Sequence, residues 1–170
     1  MYCINATTGE LVCKMPGWWS DNPAIADGYA LNHNCYDGQI YCFGKGKTAT
    51  TVEAPLTGIP LGTSVMIRGT VMDQSPGALD YAGNRLNPEG TPAIADEYMT
   101  EWMEYLHQQK PMPDNVEGVN VTVKILDPNG DWYSEAVTSD ANGVFSLSWA
   151  PAIVGDYHVT AMFEGSESYY

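Results

Sequence analysis

The chain has few basic residues and no long apolar segment. Its 170 residues include 7 Lys and Arg against 21 Asp and Glu, for a formal net charge of −14. Such a surface repels nucleic acids and anionic membranes, so we expect no nucleic-acid partner. No apolar run approaches the roughly 20 residues that a membrane-spanning helix needs, and the start shows no signal-peptide pattern. The composition therefore predicts an acidic globular protein without a membrane span.

Sequence motifs that mark catalytic or metal centres are also missing. The chain contains no CxxC, GxSxG or HExxH pattern, and its three histidines lie on separate predicted elements. Two turns, at 127–131 and 140–143, carry side-chain oxygens at alternate positions, which suits Ca²⁺, but Asx-Gly turns use the same residues for backbone reasons. We predict no catalytic residue, no metal ligand and no cofactor, with Ca²⁺ in these turns as the alternative.

The cysteines are clustered at one end of the chain. All four lie in the first quarter, at Cys3, Cys13, Cys35 and Cys42. An even, clustered set is typical of disulfides formed in an oxidising compartment, and free buried thiols are the alternative. Asn5 and Asn120 begin N-glycosylation sequons, which would suit the same compartment.

Two hairpins are predicted in the first 45 residues. In "MYCINATTGELVCKM" a turn over "ATTG" places Cys3 opposite Cys13. In "GYALNHNCYDGQIYCFG" a two-residue loop at 37–38 would place Cys35 opposite Ile40. The stretch "GKGKTATTVEAP" that follows is small and polar, and it predicts a linker or domain boundary.

Strands and a single helix are predicted in the rest of the chain. Alternation in "TSVMIRGTVMD", "VNVTVKIL", "DWYSEAV", "VFSLSW" and "DYHVTAMFEG" predicts strands, and the turn signals between them favour an antiparallel β-sandwich. In "DEYMTEWMEYLHQQ" apolar residues recur at helical spacing, with Asp96 as the predicted N-cap. We assign residues 74–115 to an insertion that contains this helix.

Aromatic residues supply the candidate recognition surface. The Trp18-Trp19 pair, with Tyr29 and Tyr36, can form an exposed patch for sugar or peptide contact, or can pack in a core at a blade edge. The insertion offers a second set, since long insertions on a sandwich rim often carry function. The alternatives for its helical stripe are a packing face and a cap over an open sheet edge. The candidate residues are Trp18, Trp19, Tyr98, Trp102 and Tyr105.

The string "PAIAD" occurs twice, at 23–27 and 92–96. The first copy precedes a predicted strand and the second a predicted helix, and nothing aligns beyond the seven residues 23–29 and 92–98, which differ only at Gly28 and Glu97. We interpret this as two uses of one turn-forming string in different structures, not as an internal repeat.

Residues 1–46 resemble the repeats of pyrroloquinoline-quinone-type (PQQ-like) β-propellers. "YCINATTGELVCKM" is similar to their "YALDAxTGxLLWK" unit, and "PAIADGYALNHNCYDGQIYCFG" is similar to the unit that follows. Cys13 stands at the usual Trp position. Because a blade has four strands and a propeller has several blades, the resemblance implies a partial blade whose neighbours are missing.

Residues from about 52 to 170, within a predicted domain at 47–170, resemble immunoglobulin-like and transthyretin-like or carboxypeptidase-regulatory-like modules of prokaryotic surface proteins. The resemblance does not extend over the insertion at 74–115. The resemblance is carried by "GTSVMIRGTVMD", "VEGVNVTVKILDPNG" and "TSDANGVFSLSWAPAIVGDYHVTAMFEGSESY". The expected fold is thus mainly β: partial propeller-blade hairpins, then an immunoglobulin-like antiparallel β-sandwich with a helical insertion.

The two resemblances together imply a non-enzymatic structural or recognition module, extracellular or at the cell surface. Its implied partners are the missing propeller blades or another protein chain, with a glycan or peptide as further ligands. One alternative is the C-terminal part of a quinoprotein-like oxidoreductase, which would use PQQ and Ca²⁺. A second is calcium-dependent adhesion. The resemblance transfers no cofactor-binding residue to this chain, so enzymatic activity stays open.

Overall fold

The computed structural model describes residues 1–78 and 90–170. This part of the chain is mainly β, with several antiparallel sheets and one short α-helix, which agrees with the predicted class. No helix in these two ranges is long and apolar enough to cross a bilayer. The predicted insertion, 74–115, lies partly outside the described residues.

The first 45 residues form two small sheets. One contains two strands, and the other contains three in the order β3-β4-β5. Both predicted hairpins are therefore present, and the register of the first places Cys3 opposite Cys13 as expected. The strands are β1 (Tyr2–Ile4), β2 (Leu11–Lys14), β3 (Ala24–Ala26), β4 (Tyr29–Asn34) and β5 (Gln39–Phe43).

The register of the second hairpin differs from the prediction. His33 lies opposite Ile40, and Leu31 lies opposite Cys42. Cys35 therefore belongs to a four-residue loop, and the predicted pairing of Cys35 with Ile40 is wrong. The shift is by two residues, so the side chains of Ile40 and Cys42 stay on the expected face.

Side-chain hydrogen bonds explain the wider loop. Asn34 Oδ1 accepts a hydrogen bond from the Tyr36 amide (3.1 Å), and Asn34 Nδ2 donates one to Asp37 Oδ2 (3.1 Å). The Gly38 amide donates to the Asn34 carbonyl (2.9 Å), and Gly38 has a positive φ of 72°. The side chains of Asn34 and Asp37 thus stabilise a four-residue loop in place of the predicted two-residue loop.

Seven further strands form two sheets that share one core. The sheet orders are β11-β7-β6, with β8 also paired to β7, and β10-β9-β12. All pairings between these strands are antiparallel. The strands are β6 (Thr48–Glu53), β7 (Val65–Asp73), β8 (Thr91–Pro92), β9 (Asn120–Leu126), β10 (Trp132–Thr138), β11 (Val144–Trp149) and β12 (His158–Met162).

Strand β6 corrects the predicted linker. Its residues Thr48, Thr50 and Val52 are half-buried while the residues between them are exposed, a period of two. Val52 lies opposite Gly69 of β7. The β-branched residues of this segment favour a strand once an edge is available to them. The small polar composition concealed that preference in the sequence.

The helix α1 spans Met99–Gln108 and follows a short 3₁₀ turn at Asp96–Tyr98. Asp96 makes no side-chain capping bond to the helix, so its predicted N-cap role is wrong. The helix ends at Gln109, whose φ of 55° places it in the left-handed region. Met99 and Trp102 are its buried residues.

Strands β7 and β9 contribute five β-branched residues to the core. Phe145 of β11 is the largest fully buried side chain of the described chain. The α1 residues and Tyr169, near the C-terminus, complete the same cluster. Its members are Ile67, Val71, Ala93, Ile94, Met99, Trp102, Val116, Val119, Val121, Val123, Ile125, Phe145 and Tyr169.

Candidate interaction surface

In the two acidic turns, at 127–131 and 140–143, an aspartate side chain accepts hydrogen bonds from backbone amides in or next to the same turn. Asp127 Oδ1 accepts hydrogen bonds from the amides of Asn129 and Asp131, both at 2.9 Å. Asp140 Oδ1 accepts from the amides of Asn142 (2.8 Å) and Val144 (3.0 Å). Within residues 1–78 and 90–170, no three His, Cys, Asp or Glu side chains are grouped to hold a metal ion. Both turns thus have the geometry of Asx turns.

The five predicted recognition aromatics do not form one surface. Trp102 is 3% exposed and lies in the core, so its assignment to a recognition surface is wrong. Tyr98 and Tyr105 are half-buried against the same core, because the stripe that carries them faces the sheets. Trp19 is half-buried, whereas Trp18 is 66% exposed.

Trp18 contacts Tyr36, one of the two tyrosines predicted to join it in an exposed aromatic patch. Its ring contacts Tyr36 edge-on, with centroids 6.4 Å apart. Tyr36 belongs to the β4–β5 loop and is 78% exposed. This exposed pair places two aromatic rings at the end of the three-stranded sheet, an arrangement that is common in binding surfaces.

Exposed apolar side chains are concentrated in the N-terminal sheets. Residues 1–46 contain ten of them, against eleven in all the remaining described residues, while only Met15 and Tyr41 there are buried apolar residues. Contiguous exposed apolar surface is a common feature of interaction sites, so these sheets are the candidate surface. The ten are Tyr2, Ile4, Leu11, Val12, Trp18, Ile25, Tyr29, Leu31, Tyr36 and Ile40.

The inner face of the three-stranded sheet is packed. Trp19 makes edge-on contacts with Tyr41 (centroids 5.2 Å apart) and Phe43 (5.7 Å), and its Nε1 donates to the Met15 carbonyl (3.2 Å). Tyr41 donates a 2.6 Å hydrogen bond to Asp37 Oδ2. That bond lowers the pKa of Asp37. The packed face fixes the sheet, so the opposite face is presented as a rigid surface.

The outer face of the same sheet is exposed, apart from a side-chain hydrogen bond between Tyr29 and Tyr170 at one end. Its strands present their side chains in register, because Leu31 pairs with Cys42 and His33 with Ile40. All are exposed, and Ile40 is 74% exposed. The residues of this outer face are Tyr29, Leu31, His33, Ile40 and Cys42.

Strand β5 leaves one hydrogen-bonding edge open. Among the described residues it pairs with β4 alone. In an antiparallel pair, the backbone groups of alternate residues point away from the partner strand. Natural edge strands are usually protected by lysine, proline or a bulge. The β5 sequence, QIYCF, contains no charged residue and no proline.

The helix holds the N-terminal sheets to the rest of the chain. The Tyr41 hydroxyl oxygen, whose hydrogen is donated to Asp37, lies 3.4 Å from the His107 carbonyl oxygen, and Gln108 Nε2 donates to the Pro16 carbonyl (2.8 Å). The rings of Tyr41 and His107 meet edge-on, with centroids 6.4 Å apart. The C-terminal end of α1 thus fixes the orientation of β5.

The C-terminal segment adds a second attachment. The Gly46 amide donates to the Ser168 carbonyl (2.7 Å), and the Tyr170 amide donates to the Gly46 carbonyl (2.9 Å). Between these two bonds Tyr169 enters the core, where it is 3% exposed. Burial, followed by the charge of Asp73, raises the pKa of Tyr169. This residue anchors the segment that follows β5.

Asp96 has a role that the sequence did not reveal. Its Oδ1 accepts from Ser166 Oγ (2.9 Å) and the Ser168 amide (3.0 Å), and its Oδ2 accepts from the Glu167 amide (3.0 Å). Burial alone would raise the pKa of Asp96, but these hydrogen bonds outweigh it and lower the pKa. The only signal in the sequence was the small polar string Ser166-Glu-Ser168, which can wrap a carboxylate.

We expect acid to weaken the junction at His107. Burial lowers the pKa of His107 below 6.5, although Asp73 opposes this. The unfolded chain therefore takes up the proton first. The stabilisation is complete above pH 6.5 and is lost as pH falls through the lower folded-state value. The urea concentration at the midpoint of unfolding should fall as the pH is lowered from 7 to 5. It should fall by less in His107→Gln than in the wild type. The exposed His158→Gln should behave as wild type, and an equal slope in His107→Gln would contradict the assignment.

The cysteines and sequons lie at the surface. Cys3, Cys35 and Cys42 are exposed, Cys13 is half-buried, and no disulfide joins any of the four in this structure. Asn5 is exposed, and its Oδ1 accepts from the Thr7 and Thr8 amides. Asn120 is exposed and accepts from Thr138. Glycosylation at both asparagines stays a prediction.

Comparisons with known proteins give no relative. No protein-family model matches the chain, and neither the curated proteins nor the solved structures contain a significant match. A functional conclusion therefore depends on the outer face and open edge of β5 described above.

Proposed function

We propose that this chain is a non-enzymatic structural and recognition module of a secreted or cell-surface protein. In this proposal, residues 1–46 are part of a PQQ-like propeller, and the strands from residue 47 onward form an immunoglobulin-like sandwich. The sequence resemblances and the antiparallel sheets support it. The partner is a protein chain that docks on the N-terminal sheets.

The observation that carries the proposal is the unprotected edge of β5 beside an exposed apolar face. A propeller blade has four strands, and the β3-β4-β5 sheet has three. A fourth strand on β5 would satisfy the open backbone groups and place its side chains beside Ile40 on the outer face. The occupant is thus an extended strand of another protein segment, bound by strand addition.

The β1–β2 hairpin indicates the type of sequence that a strand bound to β5 would have. Strand β1 carries Tyr2-Cys3-Ile4 and pairs with β2, whose sequence is LVCK. Strand β5 carries Tyr41-Cys42-Phe43, the same order of residue types, and has no partner on its open edge within the described residues. We therefore expect β5 to bind a short, mostly apolar strand of the β2 type, with polar residues at its ends.

A peptide of residues 9–16, with Cys13→Ser and a fluorescent label, tests this. It should bind the full chain saturably in anisotropy titrations. Ile40→Lys should weaken binding at least about tenfold, because it puts a charge on the docking face. A peptide with alternate backbone amides N-methylated should not bind, since strand addition uses main-chain hydrogen bonds.

The matched control is Leu56→Lys. Leu56 is fully exposed and lies outside the N-terminal sheets. It should bind the peptide as wild type does. Equal weakening in both lysine variants would sink the proposal, as would tight binding of the N-methylated peptide. Sedimentation without peptide distinguishes a second occupant: a dimer that Ile40→Lys dissociates would identify another copy of this chain, in place of a different protein, as the partner.

A further inference from the structure

The two cysteines of the first hairpin face each other across the ladder. Cys3 lies directly opposite Cys13. Met1 and Met15 exchange hydrogen bonds in both directions (2.7 and 3.0 Å). Because such pairs alternate along an antiparallel ladder, the Cys3–Cys13 pair is also of the hydrogen-bonded kind, with Cα atoms about 5.5 Å apart. A disulfide needs roughly 4.4–6.8 Å between Cα atoms, so the Cα separation of this pair is within the range for a bridge.

The other two cysteines have different surroundings. Cys42 lies opposite Leu31, and Cys35 is in the loop beyond β4. The Cys35 sulfur is 3.6 Å from His33 Nδ1. Cys35 and Cys42 are therefore not opposed across the ladder, although they belong to the same hairpin.

We propose that Cys3 and Cys13 form a disulfide that closes the first hairpin, while Cys35 and Cys42 stay unpaired. The exposure of the two thiols indicates which of them reacts first with an external disulfide. Cys3 is exposed and Cys13 is half-buried, so an external disulfide reaches Cys3 first. Burial, and then the neighbouring Cys3, raise the pKa of Cys13, which suits the role of the second, resolving thiol.

Oxidation proceeds by thiol–disulfide exchange with a small-molecule or protein disulfide. The Cys3 thiol loses its proton and its sulfur attacks one sulfur of the reagent, releasing one thiolate and leaving a mixed disulfide. Deprotonated Cys13 then attacks the Cys3 sulfur and releases the second thiolate. Two electrons pass to the reagent, and the two protons lost by the cysteines go to the released thiolates or to solvent.

The Cys3–Cys13 disulfide would determine whether β1 stays attached to the rest of the folded chain. Within the described ranges β1 pairs with β2 alone, and an isolated two-stranded hairpin is marginally stable in water. Strand β2 is connected to the helix, because the Lys14 amide donates to Thr100 Oγ1 (3.4 Å). A covalent bond from Cys3 to Cys13 therefore ties β1 to β2, and through β2 it holds β1 to the helix.

Two double variants test the pairing in the full-length chain. After exchange with oxidised glutathione, Cys35→Ser/Cys42→Ser should lose both remaining thiols and gain no glutathione. Cys3→Ser/Cys13→Ser should keep two titratable thiols or carry glutathione on them. Peptide mapping of the wild type should give a peptide linked through Cys3 and Cys13.

The single variant Cys13→Ser checks the order of events, since it should accumulate glutathione on Cys3. In the wild type, oxidation should slow proteolytic release of residues 1–9 at least about tenfold, and dithiothreitol should restore the original rate. A Cys35–Cys42 crosslink formed as fast as the Cys3–Cys13 crosslink would overturn the proposal. So would a wild type in which Cys3 ends as a stable mixed disulfide. Neither result would affect peptide binding at β5.

Discussion

Phe145→Ala is expected to lower the free energy of unfolding by about 3–5 kcal/mol. Phe145 is 1% exposed and is the largest fully buried side chain of the described core. Its replacement leaves a cavity between the two main sheets, and the β-branched residues around it have few rotamers with which to fill the space. Urea unfolding followed by tryptophan fluorescence measures the loss.

The adjacent residue provides the control. Val144 precedes Phe145 on β11, points to the opposite face, and is 40% exposed. Val144→Ala should change the free energy of unfolding by less than about 1 kcal/mol. If the two variants lost similar stability, Phe145 would not hold the core position that the structure gives it.

Gly69→Ala is expected to cost about 3 kcal/mol, near the upper end for overpacking. Gly69 lies opposite both Val52 and Phe145. A Cβ at residue 69 would lie 2.1 Å from the Thr51 carbonyl oxygen and 2.3 Å from Phe145 Cζ. The phenyl ring occupies the space above Gly69, so the strand pair must separate or the ring must move. Urea unfolding again measures the effect.

Gly58→Ala is the matched change, because a Cβ there meets nothing within 4 Å and the residue has no positive φ. It should be nearly neutral. The double variant Gly69→Ala/Phe145→Ala should lose less stability than the sum of the two single losses, since removal of the ring relieves part of the clash. Full additivity would show that the ring does not press on residue 69.

Local patterns predicted the elements that depend on neighbours in sequence. Alternation identified the strands now numbered β7 and β9 to β12, and helical spacing identified α1. The repeated string "PAIAD" was correctly assigned to two structures, because its first copy enters β3 and its second ends at the 3₁₀ turn that begins at Asp96. The first hairpin was also predicted with the right register, since its turn sets that register locally.

Errors arose where a distant partner decided the outcome. Residues 48–53 form a strand because β7 offers an edge to their β-branched side chains. Asp96 binds the segment at 166–168 instead of capping its helix, since backbone donors there are available only in the folded chain. Trp102 is buried because its helical stripe meets the sheets, a contact that the stripe alone cannot specify.

The sequence by itself determined the mainly β class, the positions of both hairpins, the helix, the acidic charge and the opposition of Cys3 to Cys13. These follow from side-chain period, turn chemistry and composition, all of which act over short distances. Only the tertiary structure decided which faces are covered. It packed Trp19 against Tyr41 and Phe43, and it left Ile40 and the β5 edge open. Exposure depends on what the rest of the chain places over a surface, and the outer face of β5 is defined by that property.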